Sequence, residues 1–236
     1  MYLMFVNDFL FILFISLFIA ILVSLILLII YTLTYLSTSR KDKQAIYSEL
    51  NKSAVSNSIV FVGDSLTDFY RTGEFFLNID VYNRGIASDT TDDILKRLDE
   101  TVLSISPRKI FLQIGTNDLG NHKKPAYVIN NIKKIVYQIQ KTLPNAEIYL
   151  ISLYPVNSRA IAFSRLIVRS RKNKHINLIN QELEMFAKAS NLTYIDVASH
   201  LKDEKGNLKK EYTVEGLHIS ILGYCKISAV LKPYVV

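Results

Sequence analysis

The sequence predicts a three-layer α/β/α domain on a five-stranded parallel sheet, preceded by one N-terminal transmembrane helix. Three observations predict it. Short apolar runs at 59–62, 81–82, 110–114, 148–153 and 192–195 have the length and composition of buried strands. Segments with apolar residues three and four apart alternate with them, as amphipathic helices require. Residues 9–36 form an uncharged run of mostly Phe, Leu and Ile that nothing later in the chain resembles.

The apolar run comes first. At about 1.5 Å per residue, a helix of that length exceeds the roughly 30 Å of a bilayer's hydrocarbon core. A secretory signal has a shorter apolar region, about 7–15 residues, behind a positive stretch that is absent here. Tyr31 and Tyr35 stand near the end of the run, where interfacial aromatics anchor a span. The expected division is an anchor over 1–39, a polar juxtamembrane linker over 40–57 and a soluble domain over 58–236. All 28 Lys and Arg, and all but one of the 21 acids, lie from Arg40 onward. The formal charge of +7 favours anionic partners and says nothing about fold. A lone cysteine, Cys225, excludes an intrachain disulfide and leaves the redox compartment open.

In the soluble part, the first helical pattern joins Ile94, Leu95, Leu98 and Val102. The second runs from Val128 to Ile139 and is entered through Pro125, which suits a first helical turn. The third joins Ile176, Ile179, Leu183 and Phe186, and a last helix is expected over 220–231. Parallel neighbours need crossover connections, so strand–helix alternation implies a parallel sheet covered on both faces, with a flavodoxin-like order. Ligands of such sheets bind beyond the carboxyl ends of the strands.

Chemistry is therefore sought at those ends. The first strand runs into Gly63-Asp64-Ser65-Leu66, which exposes a serine hydroxyl on a tight strand-to-helix turn. Its plainer role is a helix cap. The second ends in Asn83-Arg84-Gly85-Ile86, where glycine offers an unobstructed N–H or simply a turn. The third ends in Gly115-Thr116-Asn117-Asp118, whose Asn117 amide is a donor or a turn residue. Near the C-terminus stands Glu215-Gly216-Leu217-His218, a carboxylate three residues before a histidine. Such a pair can orient the imidazole to accept a proton. His122, His175 and His200 have no comparable carboxylate.

Each block is weak alone, and their joint order is not. The strings FVGDSLTDFY, NRGIASDTT, IFLQIGTNDLG and EYTVEGLHISILGY resemble the SGNH (GDSL-type) hydrolases, especially their bacterial platelet-activating-factor-acetylhydrolase-like branch. The resemblance implies ester hydrolysis through an acyl-serine. Ser65 would be the nucleophile, His218 its base and Glu215 the orienting carboxylate. The oxyanion would be held by the N–H groups of Ser65 and Gly85 and by the Asn117 amide. No metal or organic cofactor and no nucleic acid is implied; the expected partners are a small or polymer-borne ester and the membrane. Glu215 departs from the family's usual Asp, and that departure supports an alternative, a catalytically weak module binding glycans or lipid headgroups. Placement is argued both ways. Arg40, Lys41 and Lys43 follow the anchor, which by the positive-inside rule puts the domain in the cytoplasm. The family resemblance favours an extracytoplasmic domain, which is the expectation adopted.

Overall fold

The computed structural model describes the backbone of residues 2–236 and the side chains of 10–35 and 37–236. The chain divides into two units, residues 1–45 and 46–236. The first unit consists of most of helix α1 (Tyr2–Asn51), which is uniformly apolar over the expected span. From Leu10 on it is long and apolar enough to cross a membrane, and none of its most apolar stretch is buried. The side chains of Asp8, Phe9 and Leu36, at the ends of the expected span, lie outside the described residues.

The boundary differs from the expected linker over 40–57, because α1 stays helical through Asn51 and its last turns belong to the second unit. The reason is packing. Tyr47 is buried and donates its hydroxyl to the Gly85 carbonyl at 2.8 Å. Asn51 Oδ1 accepts from Arg84 Nε and Nη2 at 3.0 and 2.7 Å, while its amide donates to the Glu100 carbonyl. The Arg84 guanidinium lies 4.9 Å from the Tyr47 ring centre and 5.1 Å from that of Tyr82, within cation–π range of both.

The second unit carries five parallel strands, β1 (Ile59–Gly63), β2 (Val81–Gly85), β3 (Lys109–Gln113), β4 (Glu147–Ile151) and β5 (Thr193–Ile195). Their order is β2-β1-β3-β4-β5, the flavodoxin-like order expected, with every pairing parallel. The alternation of side chains along a strand sorts residues between two layers. Val60, Val62, Ile110, Leu112, Ile148 and Leu150 face an aliphatic layer made by α4 (Thr91–Thr101), α6 (Pro125–Thr142) and α8 (Asn173–Ala189). Phe61, Phe111 and Tyr149, paired across adjacent strands, face the other layer. Their rings stack at 4.6 and 4.5 Å beneath α10 (Ile221–Val235). Full burial of each large apolar side chain stabilises the fold by about 1.5–3 kcal/mol.

Short helices complete the domain: α2 (Ser65–Asp68), α3 (Thr72–Phe75), α5 (Thr116–Gly120), α7 (Ser164–Val168) and α9 (Ala198–Leu201). None of these is long enough to show a helical period in sequence. Two of them, α2 and α5, begin directly after β1 and β3 and carry Ser65 and Asn117.

Candidate active site

The turn that presents Ser65 is built from its neighbours. Gly63 has no room for a Cβ, which would meet the Thr67 side chain and the Gln113 carbonyl. Asp64 then caps α2, its Oδ1 accepting from the Leu66 N–H at 2.9 Å. Ser65 is the first helical residue, so its own N–H has no acceptor within the helix. Asp64 is fully buried, and desolvation pushes its carboxyl up to about 7. Its Oδ2 has no hydrogen-bond partner among the described residues.

His218 reaches this turn from the far end of the chain. A closed loop delivers it: Thr213 pairs with Ile219, Thr213 Oγ1 donates to the His218 carbonyl, and the Gly216 N–H donates to Thr213 Oγ1. Gly216 sits at φ +101, and a Cβ there would strike the Asn157 carbonyl, so only glycine fits. Within the loop Glu215 folds back on its own turn. Its Oε1 lies 2.6 Å from His218 Nδ1 and accepts the His218 backbone N–H at 3.1 Å. The other ring nitrogen, Nε2, lies 3.1 Å from Ser65 Oγ. Phe69 packs its ring 5.5 Å from the imidazole. Ser65, His218 and Glu215 thus form one hydrogen-bonded chain across 153 residues of sequence.

The two remaining candidates are placed differently. The sequence suggests an open N–H at Gly85, but that N–H donates to Asn83 Oδ1 at 2.8 Å. A Cβ at Gly85 would collide with the Asp68 backbone N, so the glycine lets β2 press against α2. It is a close-packing position, and the expectation of an open donor there is corrected. Asn117 keeps a donor. Its Oδ1 accepts from Arg171 Nη2 at 2.8 Å, which fixes the amide, and Nδ2 donates one hydrogen to the Asp89 carbonyl at 3.0 Å.

Sequence reasoning misses the residues that hold these blocks in place. Arg171 stands in a basic run, yet it is half-buried, donates also to the Thr116 carbonyl, and packs where a Cβ on Gly120 would stand. Burial lowers its pKa from the usual arginine value without threatening its charge. Asp118 accepts from the Thr91 N–H and hydroxyl at 3.0 and 2.6 Å, tying α5 to the start of α4. Arg97 and Asp89 form a buried pair at 2.7 Å, and Arg97 Nη2 also donates to the Gly63 carbonyl. The sequence signals for them are slight: the second Gly of the GTNDLG block and the acids inside the SDTTDD and TND strings.

Chemically, a serine hydroxyl beside an imidazole that is itself held by a carboxylate can act as a nucleophile. Known proteins bear on this reading. Residues 61–225 match the model of the GDSL-like lipase/acylhydrolase family. A structure from Streptococcus pneumonia, assigned provisionally as a platelet activating factor, is 36% identical, with a TM-score of 0.80 over 86% of this chain and 95% of that one. A catalytic mutant of an acetylxylan esterase from Geobacillus stearothermophilus shares the fold at 16% identity, with a TM-score of 0.61 over 77% and 95% of the two chains. An N-acylneuraminate cytidylyltransferase of Escherichia coli is 31% identical over 191 residues, 77% of this chain. The chain spans only 42% of the length of that relative.

Proposed function

On the premise that the chain belongs to the GDSL-like lipase/acylhydrolase family of ester hydrolases, we propose that it is a membrane-anchored esterase acting through an acyl-serine at Ser65. Ser65 Oγ attacks the ester carbonyl and passes its proton to His218 Nε2. Glu215 holds the Nδ1–H and stabilises the imidazolium. The tetrahedral oxyanion is met by the Ser65 N–H and the second hydrogen of Asn117 Nδ2. Collapse expels the alcohol, which takes the proton from His218, and water then repeats the sequence on the acyl-serine. The observation that carries this reading is the Ser65–His218–Glu215 chain, at 3.1 and 2.6 Å.

Acetyl-type esters are the substrates we assign. Leu66, Leu119 and Leu217, the apolar residues beside the motif positions, are buried in the cores, which leaves short side chains such as Ser88 beside the reacting pair's motif positions. The fold-level likeness to an acetylxylan esterase agrees with this. We assign α1 to the membrane on its length and composition, with the domain on the extracytoplasmic side. Protease treatment of intact cells tests that placement: a domain protected until lysis excludes it.

The test of mechanism is hydrolysis of p-nitrophenyl acetate. Ser65→Ala and His218→Ala are expected to lose several orders of magnitude each, with the double variant little worse, because the pair acts as a unit. Asn117→Ala is expected to lose about 10²–10³ in kcat, as for one oxyanion donor. Full activity in Ser65→Ala refutes the proposal.

A further inference from the structure

The segment between β4 and α8 crosses the mouth of the site. At one end the Asn157 N–H donates to the Gly216 carbonyl at 2.8 Å, two residues from His218. At the other end Ser170 donates to the Leu119 carbonyl at 2.6 Å, and Arg171 holds Asn117. Between these ties Ser164 and Val168 turn inward and most of the other side chains turn outward. Ile161, Phe163 and Leu166 are 49%, 67% and 74% exposed. Arg159, Arg165 and Arg169 are exposed among them. No acid occurs anywhere from residue 148 to 181. Next to the Ser170 tie, a cleft of about 250 Å³ is lined by Lys123, Lys124 and Lys172, also without an acid.

We propose that residues 158–169 form a rim that docks onto an anionic lipid surface and holds the site's mouth against the headgroups. Two features select this occupant. Large apolar side chains this exposed gain nothing from water, and their interleaving with arginines is the pattern of interfacial adsorption. A soluble polyanion would engage the arginines but would give Phe163 and Leu166 nothing to bury into. That the rim borders a reaction site rests on Ser65 and His218 as the reacting pair; the docking itself does not.

The chain contains no tryptophan, so one introduced at the rim reports alone. Phe163→Trp and Leu166→Trp in the full-length chain would be reconstituted into phosphatidylcholine vesicles, with and without phosphatidylglycerol, using brominated lipids as quenchers. Leu77→Trp is the reference. Leu77 is 69% exposed and precedes β2, at the opposite end of the sheet. The expected result is a blue shift and bromine quenching at 163 and 166, strengthened by the anionic lipid, and none at 77. Replacing Arg159, Arg165 and Arg169 with Gln should weaken docking about fivefold per arginine and abolish most of the quenching. Absence of quenching at both rim positions, or equal quenching at 77, overturns the proposal. So does a blue shift induced by a soluble polyanion in detergent with no response to vesicles. The readout needs no turnover, so a chain inactive on every ester would refute the esterase reading and still decide this one.

Discussion

The two layers that sandwich the sheet are built from different materials. The layer of α4, α6 and α8 is aliphatic almost throughout, with Ile94, Leu98, Ile132, Ile135 and Ile179 fully or nearly fully buried. The opposite layer is aromatic and hydroxylated. Phe61 stacks on Phe111, Phe111 on Tyr149, and Tyr70 on Tyr224 at 5.1 Å. Its hydroxyls are engaged: Tyr224 donates to the Leu66 carbonyl at 2.9 Å, and Tyr70 shares a 2.7 Å bond with Ser228. Those bonds join the helix that begins at Ser65, and the turn that follows it, to the helix that follows His218. An aliphatic layer supplies stability without direction, whereas hydrogen-bonded rings also fix position. The site lies on the seam. Ser65 and His218 adjoin Leu66 and Ile219 of the aromatic side, and Asn117 shares its short helix with Leu119 of the aliphatic side.

The seam is where the contrast breaks most completely. Glu215→Gln keeps the shape and removes the charge behind His218, and kcat should fall by up to about 10⁴, the loss for the comparable change in another triad. Glu215→Asp, the family's own residue, should retain appreciable activity. Wild-type kcat in Glu215→Gln would mean that a Ser65–His218 dyad suffices. Next in size comes the aliphatic layer. Ile132→Ala should cost about 2–5 kcal/mol in a denaturant melt, with kcat per folded molecule unchanged.

The aromatic side carries a pH signature of its own. Asp64, buried near Tyr154 and Tyr224, has its carboxyl raised to about 7 mainly by desolvation. The native state therefore keeps a proton that the unfolded chain releases near its ordinary pKa of about 4. Stability should fall as pH rises from about 4 to about 7, by on the order of a few kcal/mol. Asp64→Asn should flatten that slope in melts across the range, and an unchanged slope would assign it to other groups. The smallest effect sharpens the comparison most. Tyr224→Phe should cost only about 1 kcal/mol in stability. Because Tyr224 holds the Leu66 carbonyl, kcat should fall measurably as well, unlike in Ile132→Ala.

This asymmetry also explains what is legible in the sequence. Buried strands and long helices announce themselves through apolar runs and the 3.6-residue period, as Ile94, Leu98 and Val102 do, and such a row needs no partner to be recognised. The four blocks are readable because each couples a chemical residue to a turn. Gly85 misleads because a glycine after a strand serves equally as an open N–H or as room for a neighbouring backbone, and only the bond to Asn83 and the Asp68 contact separate the two. Arg171 is hidden in a run of cations because composition does not report burial. Glu215 looks too long for its task until the Thr213–Ile219 pairing shows how tightly the loop turns.

The end of α1 has a practical consequence. Tyr47 and Asn51 satisfy the Gly85 carbonyl and the Arg84 guanidinium from outside the region that the family's motifs mark. A soluble fragment begun at the first strand would strip those partners away, taking from the Arg84 guanidinium, buried in the intact chain, its Asn51 acceptor and from the Gly85 carbonyl its Tyr47 donor, at the end of the strand that presses on the Ser65 helix. The smallest intact hydrolase unit therefore starts no later than Ile46, well upstream of where sequence similarity alone would cut.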